Sequence, residues 1–357
     1  MNRRFYFDID WALITPIMVL ATLSLVTLFS INIELFKNQL LFLIIGIIAF
    51  LFFSKVNYSI IKLYSFPIYI ASVVSFVLVL FIGIESRGSS RWFEILGFRF
   101  QFSEIFKPFL AISLSSYLGS KESYSLKTFF IVFCLLVPLA FLIFMQPDLG
   151  NALIYGMVVV LTLLAYGFPK RFFLGLLVLG FLAFPVVFRF LHDYQRERIL
   201  TFLNPSDPLG LSYNIIQSVI SVGSGMLFGR GLGLGTQSSL RFLPELHTDF
   251  IFATISEQLG FVGAITIVLA FFVLLYRILK IISHQEEIFS KIFSIAAFFL
   301  IFIQFFVNIG MNIGMLPIVG ITLPFVSYGG SSLLSSFILI GLISAINKKT
   351  SQVLEIR

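Results

Sequence analysis

Long apolar runs separated by short polar turns dominate the hydrophobic pattern of the chain. Ten runs have about the length, 17 to 25 residues, at which a helix crosses a bilayer. They lie near Trp11–Ser30, Gln39–Lys55, Ile60–Ile84, Glu104–Leu118, Thr128–Met145, Leu149–Phe168, Phe172–Leu191, Phe250–Ile282, Phe289–Met315 and Ser331–Ile346. The fourth run is short and charged, and the turn QPDLG separates the fifth from the sixth. The pattern predicts an all-α polytopic membrane protein with about ten transmembrane helices.

Composition agrees with this fold class. Of the 357 residues, 59% are hydrophobic and 11% are charged, with a mean hydropathy of +1.03, which excludes a soluble globular domain. The single cysteine, Cys134, lies in an apolar run, so no disulfide forms within the chain, and a small buried core residue is expected there. No fixed repeat or separate soluble region is evident, which predicts one membrane domain over residues 1–357.

The charge of the loops predicts the orientation. Lys and Arg concentrate in alternate short loops such as MNRR, FPKR and NKKT, which places both termini in the cytoplasm. The first apolar run is too long for a signal-peptide core and lacks a cleavage site, so it should be retained.

Two loops on the predicted outer side, at about 85–103 and 192–249, are longer and richer in charge than the others; the larger one separates spans 7 and 8. Long loops of this kind are usually functional. Their positive charge opposes the insertion bias, so either a ligand or the lipid head groups must account for it. The arginines concerned are Arg87, Arg91, Arg99, Arg196, Arg198, Arg230 and Arg241.

A charged pair opens the fourth span. Glu104 and Lys107 are three residues apart and therefore neighbours on one helical face. A lone Lys at the centre of a membrane-spanning helix costs about 2.5–3.5 kcal/mol, so a partner is required. The pair either fixes helix packing or, together with Arg91, presents Lys107 to an anionic ligand.

Carboxylates cluster at the entrance to the eighth span, in the stretch LPELHTDFIFATISEQLG. Asp249 and Glu257 are eight residues apart and share nearly one helical face, with Glu257 about 12 Å deeper. The dipole of the helix should stabilise the ionised form of Asp249, although Thr248 or Asp249 could instead serve only as an N-cap. His247 is most simply an interfacial hydrogen-bonding residue. Glu245 and Glu257 are secondary candidates for a catalytic carboxylate.

Two glycine-containing stretches adjoin these residues. Gly223–Ser239 contains six glycines, which could bring main-chain amides close to phosphates or sugars, but it matches no nucleotide motif. Pro324–Ser332 predicts a re-entrant segment or helix start, in which Ser331 or Ser332 could cap the last helix.

From residues alone, two classes of function remain. An enzyme at the outer boundary would use a carboxylate as base and arginines to hold a leaving phosphate. A transporter or flippase would use Glu104, Lys107 and Glu257 as an intramembrane path. Charge concentrates at one face and is sparse within the spans, which favours the enzyme.

The motifs RWFEILGFRFQFSEIFKP, QPDLGNALI and GITLPFVSYGGSSLL, with the long central stretch from YQRERILTFLNPSDPLG to SEQLGFVGA, resemble the SEDS family (shape, elongation, division and sporulation). The resemblance covers nearly the whole chain and is closer to the RodA-like elongation branch than to the FtsW-like division branch, where a Glu usually stands in place of Arg241. Two positions depart from the family pattern: Phe102 stands where Pro is common, and Met226 stands where Gly is usual.

This resemblance implies a peptidoglycan glycosyltransferase that polymerises lipid II at the outer face of the cytoplasmic membrane. The family's essential aspartate corresponds to Asp249, which we expect to act as base in an inverting displacement of undecaprenyl diphosphate. We expect the diphosphate to be stabilised by Arg91 and Lys107, together with Arg198 or a divalent cation, Mg or Mn. No organic cofactor is expected. The expected substrate-binding residues are Arg91, Trp92, Lys107, Glu104, Arg198, Glu245 and His247. Trp92 either stacks on a sugar face or anchors the chain at the membrane interface.

The family also implies a partner, a class B penicillin-binding protein whose transpeptidase crosslinks the new strands, within a rod-shape complex. No nucleic-acid partner is expected. A lipid II flippase is the alternative function, and it predicts that lipid II crosses the bilayer without being consumed.

Overall fold

A computed structural model describes residues 10–86, 89–95, 97–121, 124–191, 193–203, 212–240 and 242–356. The helices in these ranges are α1 (Trp11–Ile31), α2 (Ile33–Phe53), α3 (Tyr58–Leu63), α4 (Ser65–Ile82), α5 (Phe102–Ile105), α6 (Lys107–Gly119), α7 (Leu126–Met145), α8 (Leu149–Tyr166), α9 (Lys170–Phe190), α10 (Asp193–Leu203), α11 (Tyr213–Ser224), α12 (Thr236–Ser239), α13 (Ile251–Ser283), α14 (Ile288–Asn312) and α15 (Gly330–Ile356). Within this described part, nine helices are long and apolar enough to cross a membrane. The predicted all-α polytopic class is therefore confirmed.

The fourth predicted span, Glu104–Leu118, is short and interrupted. It is divided at Phe106 into α5 and α6, and α6 has only 13 residues, fewer than the roughly 17 that cross a bilayer. Pro108 falls in the first turn of α6, where its missing N–H costs no helical hydrogen bond. The third predicted span is likewise divided, at Tyr64, into α3 and α4.

The loop at about 85–103 contains a small antiparallel sheet that the hydrophobic pattern did not predict. Its strands β1 (Ile84–Ser86), β2 (Ser89–Ile95) and β3 (Phe98–Phe100) pair in the order β1-β2-β3. Trp92 pairs with Ile84, and Phe93 with Phe100. Gly97, between β2 and β3, has φ +81°, a conformation that glycine adopts without steric cost.

The buried core is formed by α14 and α15 with the helices around them. It contains Phe293 and Leu300 of α14 and Ile340 and Ile343 of α15, each with 0–1% of its surface exposed. By contrast, α9 has no buried residue among its 21. The outer helices therefore present their apolar side chains to the surroundings of the bundle, as helices facing lipid do.

The prediction that Cys134 is a small buried core residue is wrong. Cys134 lies on α7 and its side chain is exposed. In a membrane-spanning helix the lipid-facing surface is as apolar as the core, so an apolar sequence context does not indicate burial.

The 33-residue helix α13 is broken near its first third, at Gly260, which has φ +68°. Downstream of the break, Phe261 donates its N–H to the carbonyl of Met226 at 2.8 Å. Before the break, the carbonyl of Gln258 accepts the N–H of Gly231 at 3.0 Å. The main chain of residues 226–231 thus satisfies polar groups that the broken helix leaves without helical partners.

The glycines of Gly223–Ser239 serve this packing. A Cβ on Gly225 would lie 1.9 Å from the carbonyl oxygen of Ser256, and one on Gly229 would lie 2.1 Å from that of Gln258. These positions require glycine because two backbones meet. The expected use of these glycines, to present main-chain amides to a ligand, is not what the structure shows at Gly225 and Gly229.

At the opposite end of α13 from Asp249, an ion pair joins three helices. The guanidinium of Arg277 lies 2.7 Å from the carboxylate of Asp10, which precedes α1. Asn347 of α15 donates to the same carboxylate at 3.1 Å. This polar contact therefore lies at the other end of α13 from Asp249.

Candidate active site

Asp249 lies just before α13, in a tight helical turn. The carbonyl of Glu245 accepts hydrogen bonds from the N–H groups of Thr248 and Phe250, at 3.1 and 3.3 Å, and Glu245 itself has φ +50°. The side chain of Asp249 is half-buried. A Cβ on Gly320, which has φ +71°, would lie 3.4 Å from Oδ2 of Asp249. The main chain of the 313–329 loop therefore approaches the carboxylate directly.

The 313–329 loop is fastened to the segment that carries Asp249. Ser327 Oγ donates to the carbonyl of Thr248 at 2.7 Å, and the N–H of Tyr328 donates to the carbonyl of His247 at 2.8 Å. The His247 and Tyr328 rings meet edge to face, with centroids 5.4 Å apart. The structure thus brings together the HTD and PFVSYGG motifs, which lie about 80 residues apart in the chain.

Two buried polar side chains in the first two helices support this loop, and sequence reasoning missed both. Ser24 of α1 donates to the carbonyl of Val326 at 2.6 Å. Gln39 of α2 donates to the carbonyl of Ser327 at 3.2 Å and accepts from the N–H of Gly329 at 3.3 Å. Each is a polar residue within an apolar span, and this feature of the sequence could have indicated a buried polar contact.

Asp148, in the QPDLG turn, is the centre of a second polar cluster that the sequence did not assign. Its carboxylate is 3% exposed and accepts from Gln101 Nε2 at 2.5 Å, Ser103 Oγ at 3.2 Å and Asn151 Nδ2 at 2.9 Å. It also caps α8 by accepting the N–H of Asn151 at 3.2 Å. A Cβ on Gly150 would lie 2.4 Å from the carbonyl of Val319, so α8 begins against the loop that approaches Asp249.

Arg91 connects the sheet to this cluster. Its guanidinium lies 3.9 Å from the carboxylate of Asp148 and is about one-third exposed. Nε of Arg91 is buried without a hydrogen-bond partner in the described residues. Trp92, the next residue on β2, is half-buried. Arg91 therefore has donors left over for a ligand, whereas Asp148 is saturated by its neighbours.

The electrostatics of the site raise the pKa of Asp249. Burial is the main cause, with the nearby Glu245 carboxylate second, and together they raise the pKa to about 6. The charges of Arg198 and Arg91 oppose this shift, and that of Asp148 adds to it. Desolvation therefore outweighs any stabilisation that the helix dipole gives to the ionised form. A carboxyl group that titrates near neutrality suits a general base.

The predicted pairing of Lys107 with Glu104 is present inside the bundle. Both side chains are at most 6% exposed, and Nζ of Lys107 lies 2.7 Å from Oε1 of Glu104. With its amide oriented to satisfy both polar atoms, Gln304 of α14 accepts from Lys107 at 2.8 Å. Oε2 of Glu104 is buried without a partner among the described residues. These contacts favour the helix-packing interpretation of the pair over direct ligand contact.

Glu257, the deeper carboxylate, is fully buried and holds a loop. It accepts the N–H of Gln237 at 2.8 Å and that of Ser238 at 3.0 Å, at the start of the short helix α12. Gly235 fits directly against it, since a Cβ there would lie 2.6 Å from the Glu257 carboxyl carbon. This arrangement positions Glu257 as a structural acceptor.

The loop arginines do not act as one set. Arg198 is exposed on α10, close enough to lower the pKa of Asp249. Arg196 donates to the carbonyl of Phe188 at 2.9 Å. Arg99 lies 3.7 Å from the carboxylate of Glu94. Arg230 donates to the carbonyl of Ser224 at 3.2 Å. Arg87 and Arg241 lie outside the described residues.

In the described ranges, no three His, Cys, Asp or Glu side chains lie close enough together to hold a metal ion.

The arrangement defines a multi-pass membrane protein with a polar, titratable site at one end of its helical bundle. The family of cell cycle proteins that comprises FtsW, RodA and SpoVE matches residues 5–352. The chain belongs to this FtsW/RodA/SpoVE (SEDS) family, and it is a multi-pass membrane glycosyltransferase of that family. The predicted family and enzyme class are thereby confirmed.

Curated relatives cover most of the chain. Peptidoglycan glycosyltransferase MrdB of Escherichia coli K12 is 39% identical over 284 residues, which cover 78% of this chain and 76% of its own. Stage V sporulation protein E of Bacillus subtilis 168 is 38% identical over 321 residues, 87% of this chain and 86% of its own. A probable peptidoglycan glycosyltransferase FtsW of Trichlorobacter lovleyi is 36% identical over 318 residues, 86% of this chain and 82% of its own. The relatives include both an MrdB and an FtsW.

Solved structures share the fold. One, from a study of the structural coordination of polymerization and crosslinking by a peptidoglycan synthase complex, has a TM-score of 0.86 and 27% identity, and covers 97% of this chain and 100% of its own. The rod shape determining protein RodA of Thermus thermophilus has a TM-score of 0.73 and 24% identity, and covers 96% and 98%.

Proposed function

We propose that this glycosyltransferase polymerises lipid II into peptidoglycan strands at the outer face of the cytoplasmic membrane during cell elongation, with both termini in the cytoplasm. The observation that carries the proposal is the half-buried Asp249, whose pKa is raised to about 6 beside cationic side chains. A base and cations at one membrane boundary suit a substrate whose lipid lies in the bilayer and whose sugars and diphosphate lie outside it.

In the proposed step, Asp249 takes the proton of the acceptor hydroxyl as its oxygen attacks the anomeric carbon. The bond from that carbon to the diphosphate oxygen breaks, with inversion, and the diphosphate leaves with the electron pair. Arg91 and Arg198 stabilise the charge that develops on it. Diphosphate is already a good leaving group, so no second carboxylic acid is needed. Trp92, Glu245 and His247 line the substrate side.

Lys107 and Glu104 act indirectly in this proposal. The buried pair joins Glu104 of α5 to Lys107 of α6, beside Gln304 of α14. It therefore fixes α5, which follows Gln101 and contains Ser103, two partners of Asp148. A Mg or Mn ion that accompanies the diphosphate remains a prediction.

The elongation branch is supported by the sequence stretches YQRERILTFLNPSDPLG and LRFLPELHTDFIF, which resemble RodA-like members. We propose as partner a class B penicillin-binding protein within a rod-shape complex, in line with the similar chain from a peptidoglycan synthase complex.

The test is polymerisation of labelled lipid II by the purified chain with that partner, whose transpeptidase is inactivated. Glycan strands from the complex, but not from the partner alone, are expected. Transfer of lipid II across proteoliposomes without strand formation would instead favour the flippase. Depletion in a rod-shaped cell separates the branches: rounding supports elongation, and filamentation supports division.

A further inference from the structure

A cavity of about 390 Å³ lies between α4, α6 and α7, apart from the candidate active site. Its walls include the start of α4, at Ser65 and Phe66, and α6 from Leu110 onwards. The other end of α4, at Ile82, leads into the small sheet. Seventeen residues of helix separate Ser65 from Ile82, a distance of about 26 Å at 1.5 Å per residue. The cavity therefore lies towards the end of the bundle that is farther from the sheet.

The cavity is lined mainly by apolar side chains, and most of its polar groups are already satisfied. More than half of the lining residues are Leu, Ile, Val or Phe. Ser65 donates to Ser116 Oγ at 2.7 Å, and the hydroxyls of Tyr69, Ser113 and Ser120 donate to main-chain carbonyls at 2.9, 3.0 and 2.7 Å. An apolar cavity with few free polar partners does not hold water, and empty space forfeits dispersion contacts. A hydrocarbon chain suits these walls better than a sugar or a nucleotide.

Tyr117 is the exception among the polar residues of the lining. Its hydroxyl is buried and has no hydrogen-bond partner among the described residues. A buried hydroxyl without a partner is costly, so an occupant that brings an acceptor is favoured. The ammonium group of Lys121 lies over the ring of Tyr117, 5.2 Å from its centroid. A cation therefore stands beside the one polar group that lacks a partner.

These groups follow a fixed order along the chain. Lys121 comes after the end of α6, Tyr117 lies one turn before it, and Leu114 and Leu110 lie one and two turns further into the helix. Tyr117 and Leu110 are thus about 10 Å apart along the helix axis. A phospholipid presents a phosphate, an ester carbonyl and an acyl chain in the same order. A prenyl diphosphate has no ester carbonyl between its charge and its hydrocarbon.

We propose that the cavity between α4, α6 and α7 binds one anionic phospholipid. Its acyl chain fills the cavity, an ester carbonyl accepts the Tyr117 hydroxyl, and its phosphate lies beside Lys121. Basic positions next to a gap between transmembrane helices are typical of sites for anionic head groups. This lipid site is separate from the proposed transfer chemistry and does not depend on the role of Asp249.

The experiment measures the binding of phosphatidylglycerol and of zwitterionic phosphatidylethanolamine to the delipidated full chain by native mass spectrometry. Phosphatidylglycerol should bind more tightly, and Lys121→Gln should weaken it about fivefold while leaving phosphatidylethanolamine unchanged. Tyr117→Phe should weaken both lipids about fivefold, because both carry the ester. Leu135→Trp should abolish tight binding of both, because the indole occupies the cavity.

The matched control is Lys280→Gln. Lys280 also lies over a tyrosine ring, that of Tyr276 at 5.8 Å, but Tyr276 does not line the cavity. Binding of phosphatidylglycerol to this variant should equal that of the wild type.

Two results would overturn the inference: undiminished phosphatidylglycerol binding by folded Leu135→Trp, or equal losses in Lys121→Gln and Lys280→Gln, which would indicate attraction to surface charge only. Thermal unfolding verifies that each variant is folded. If Leu135→Trp does not fold, Ser113→Leu fills the same space from α6 and should likewise abolish tight binding. Undecaprenyl phosphate is added as a competitor, and tighter binding of this lipid than of phosphatidylglycerol would also refute the proposal.

Discussion

The guanidinium of Arg91 lies 3.9 Å from the carboxylate of Asp148, which joins the small sheet to the start of α8. Asp148 is saturated by buried donors, so its charge is fixed in place and in turn fixes Arg91. The Arg91 side chain is one-third exposed, and its charge opposes the rise in the pKa of Asp249. This relationship assigns a role to the QPDLG turn that its sequence alone did not reveal.

Replacing the carboxylate of Asp148 should weaken catalysis, because Arg91 would lose the charge that holds it in place. We expect Asp148→Ala to lower strand synthesis at least tenfold and to destabilise the protein by about 1–3 kcal/mol, because buried donors of Gln101 and Asn151 lose their acceptor. Asp148→Asn keeps the shape and should be more stable than Asp148→Ala but similarly impaired. Lipid II polymerisation and thermal unfolding are the measurements. Wild-type activity in both variants would contradict the role.

Activity should depend on pH through Asp249. Because the pKa of this carboxyl is raised to about 6, the base is protonated below that value, and activity should fall as pH falls through about 6. The partner and lipid II are held constant, and the pH is returned to 7.5 to verify recovery. An acid limb near pH 4 would contradict the raised pKa.

The same shift has a consequence for stability. A carboxyl group whose pKa is higher in the folded than in the unfolded state binds its proton more tightly when folded, so the free energy of unfolding falls as pH rises from about 4 to about 6. Asp249→Asn removes this penalty and should stabilise the protein at pH 7.5 by about 1–3 kcal/mol. The gain should vanish below pH 4 in thermal unfolding; a destabilised variant at pH 7.5 would be inconsistent with the shift.

The buried pair of Lys107 and Glu104 offers a double-mutant test. Lys107→Met leaves the Glu104 carboxylate buried and unpaired, which should destabilise the protein by about 3–5 kcal/mol. Adding Glu104→Gln should recover most of that loss. Thermal unfolding of both singles and the double measures the coupling. Additive losses would show that the two side chains do not depend on one another.

Glu257 should behave as a loop anchor. Glu257→Ala leaves the N–H groups of Gln237 and Ser238 without their acceptor, at a cost of about 1–3 kcal/mol each. Limited proteolysis should then cut near α12 sooner than in the wild type. Glu257→Gln retains one acceptor and should be intermediate. If Glu257→Gln lost lipid II transfer while α12 stayed protected, Glu257 would need a role beyond anchoring.

The sequence predicted the helical bundle well because apolar run length is nearly sufficient in a membrane. Nine of the ten spans have long helical counterparts, and the exception, around Lys107, is the span whose sequence was short and charged. Burial could not be predicted in the same way, as Cys134 shows, because lipid and core select the same side chains.

The candidate site could be predicted only where its residues share a motif. Asp249 and Glu245 stand in one stretch of the chain and were found. Ser24 of α1, Gln39 of α2 and Asp148 of the QPDLG turn come from separate parts of the chain, and only tertiary packing brings them to the site. Their available signal was chemical: each is a polar residue that the bundle buries and must satisfy.

The most direct test of the account is strand synthesis from labelled lipid II by Asp249→Asn in the purified complex, beside the wild type and the control Glu94→Gln, which alters a carboxylate of the sheet that pairs with Arg99. The account predicts strands from the wild type and from Glu94→Gln, and none from a folded Asp249→Asn. Strand synthesis by Asp249→Asn at a rate near that of the wild type would contradict it.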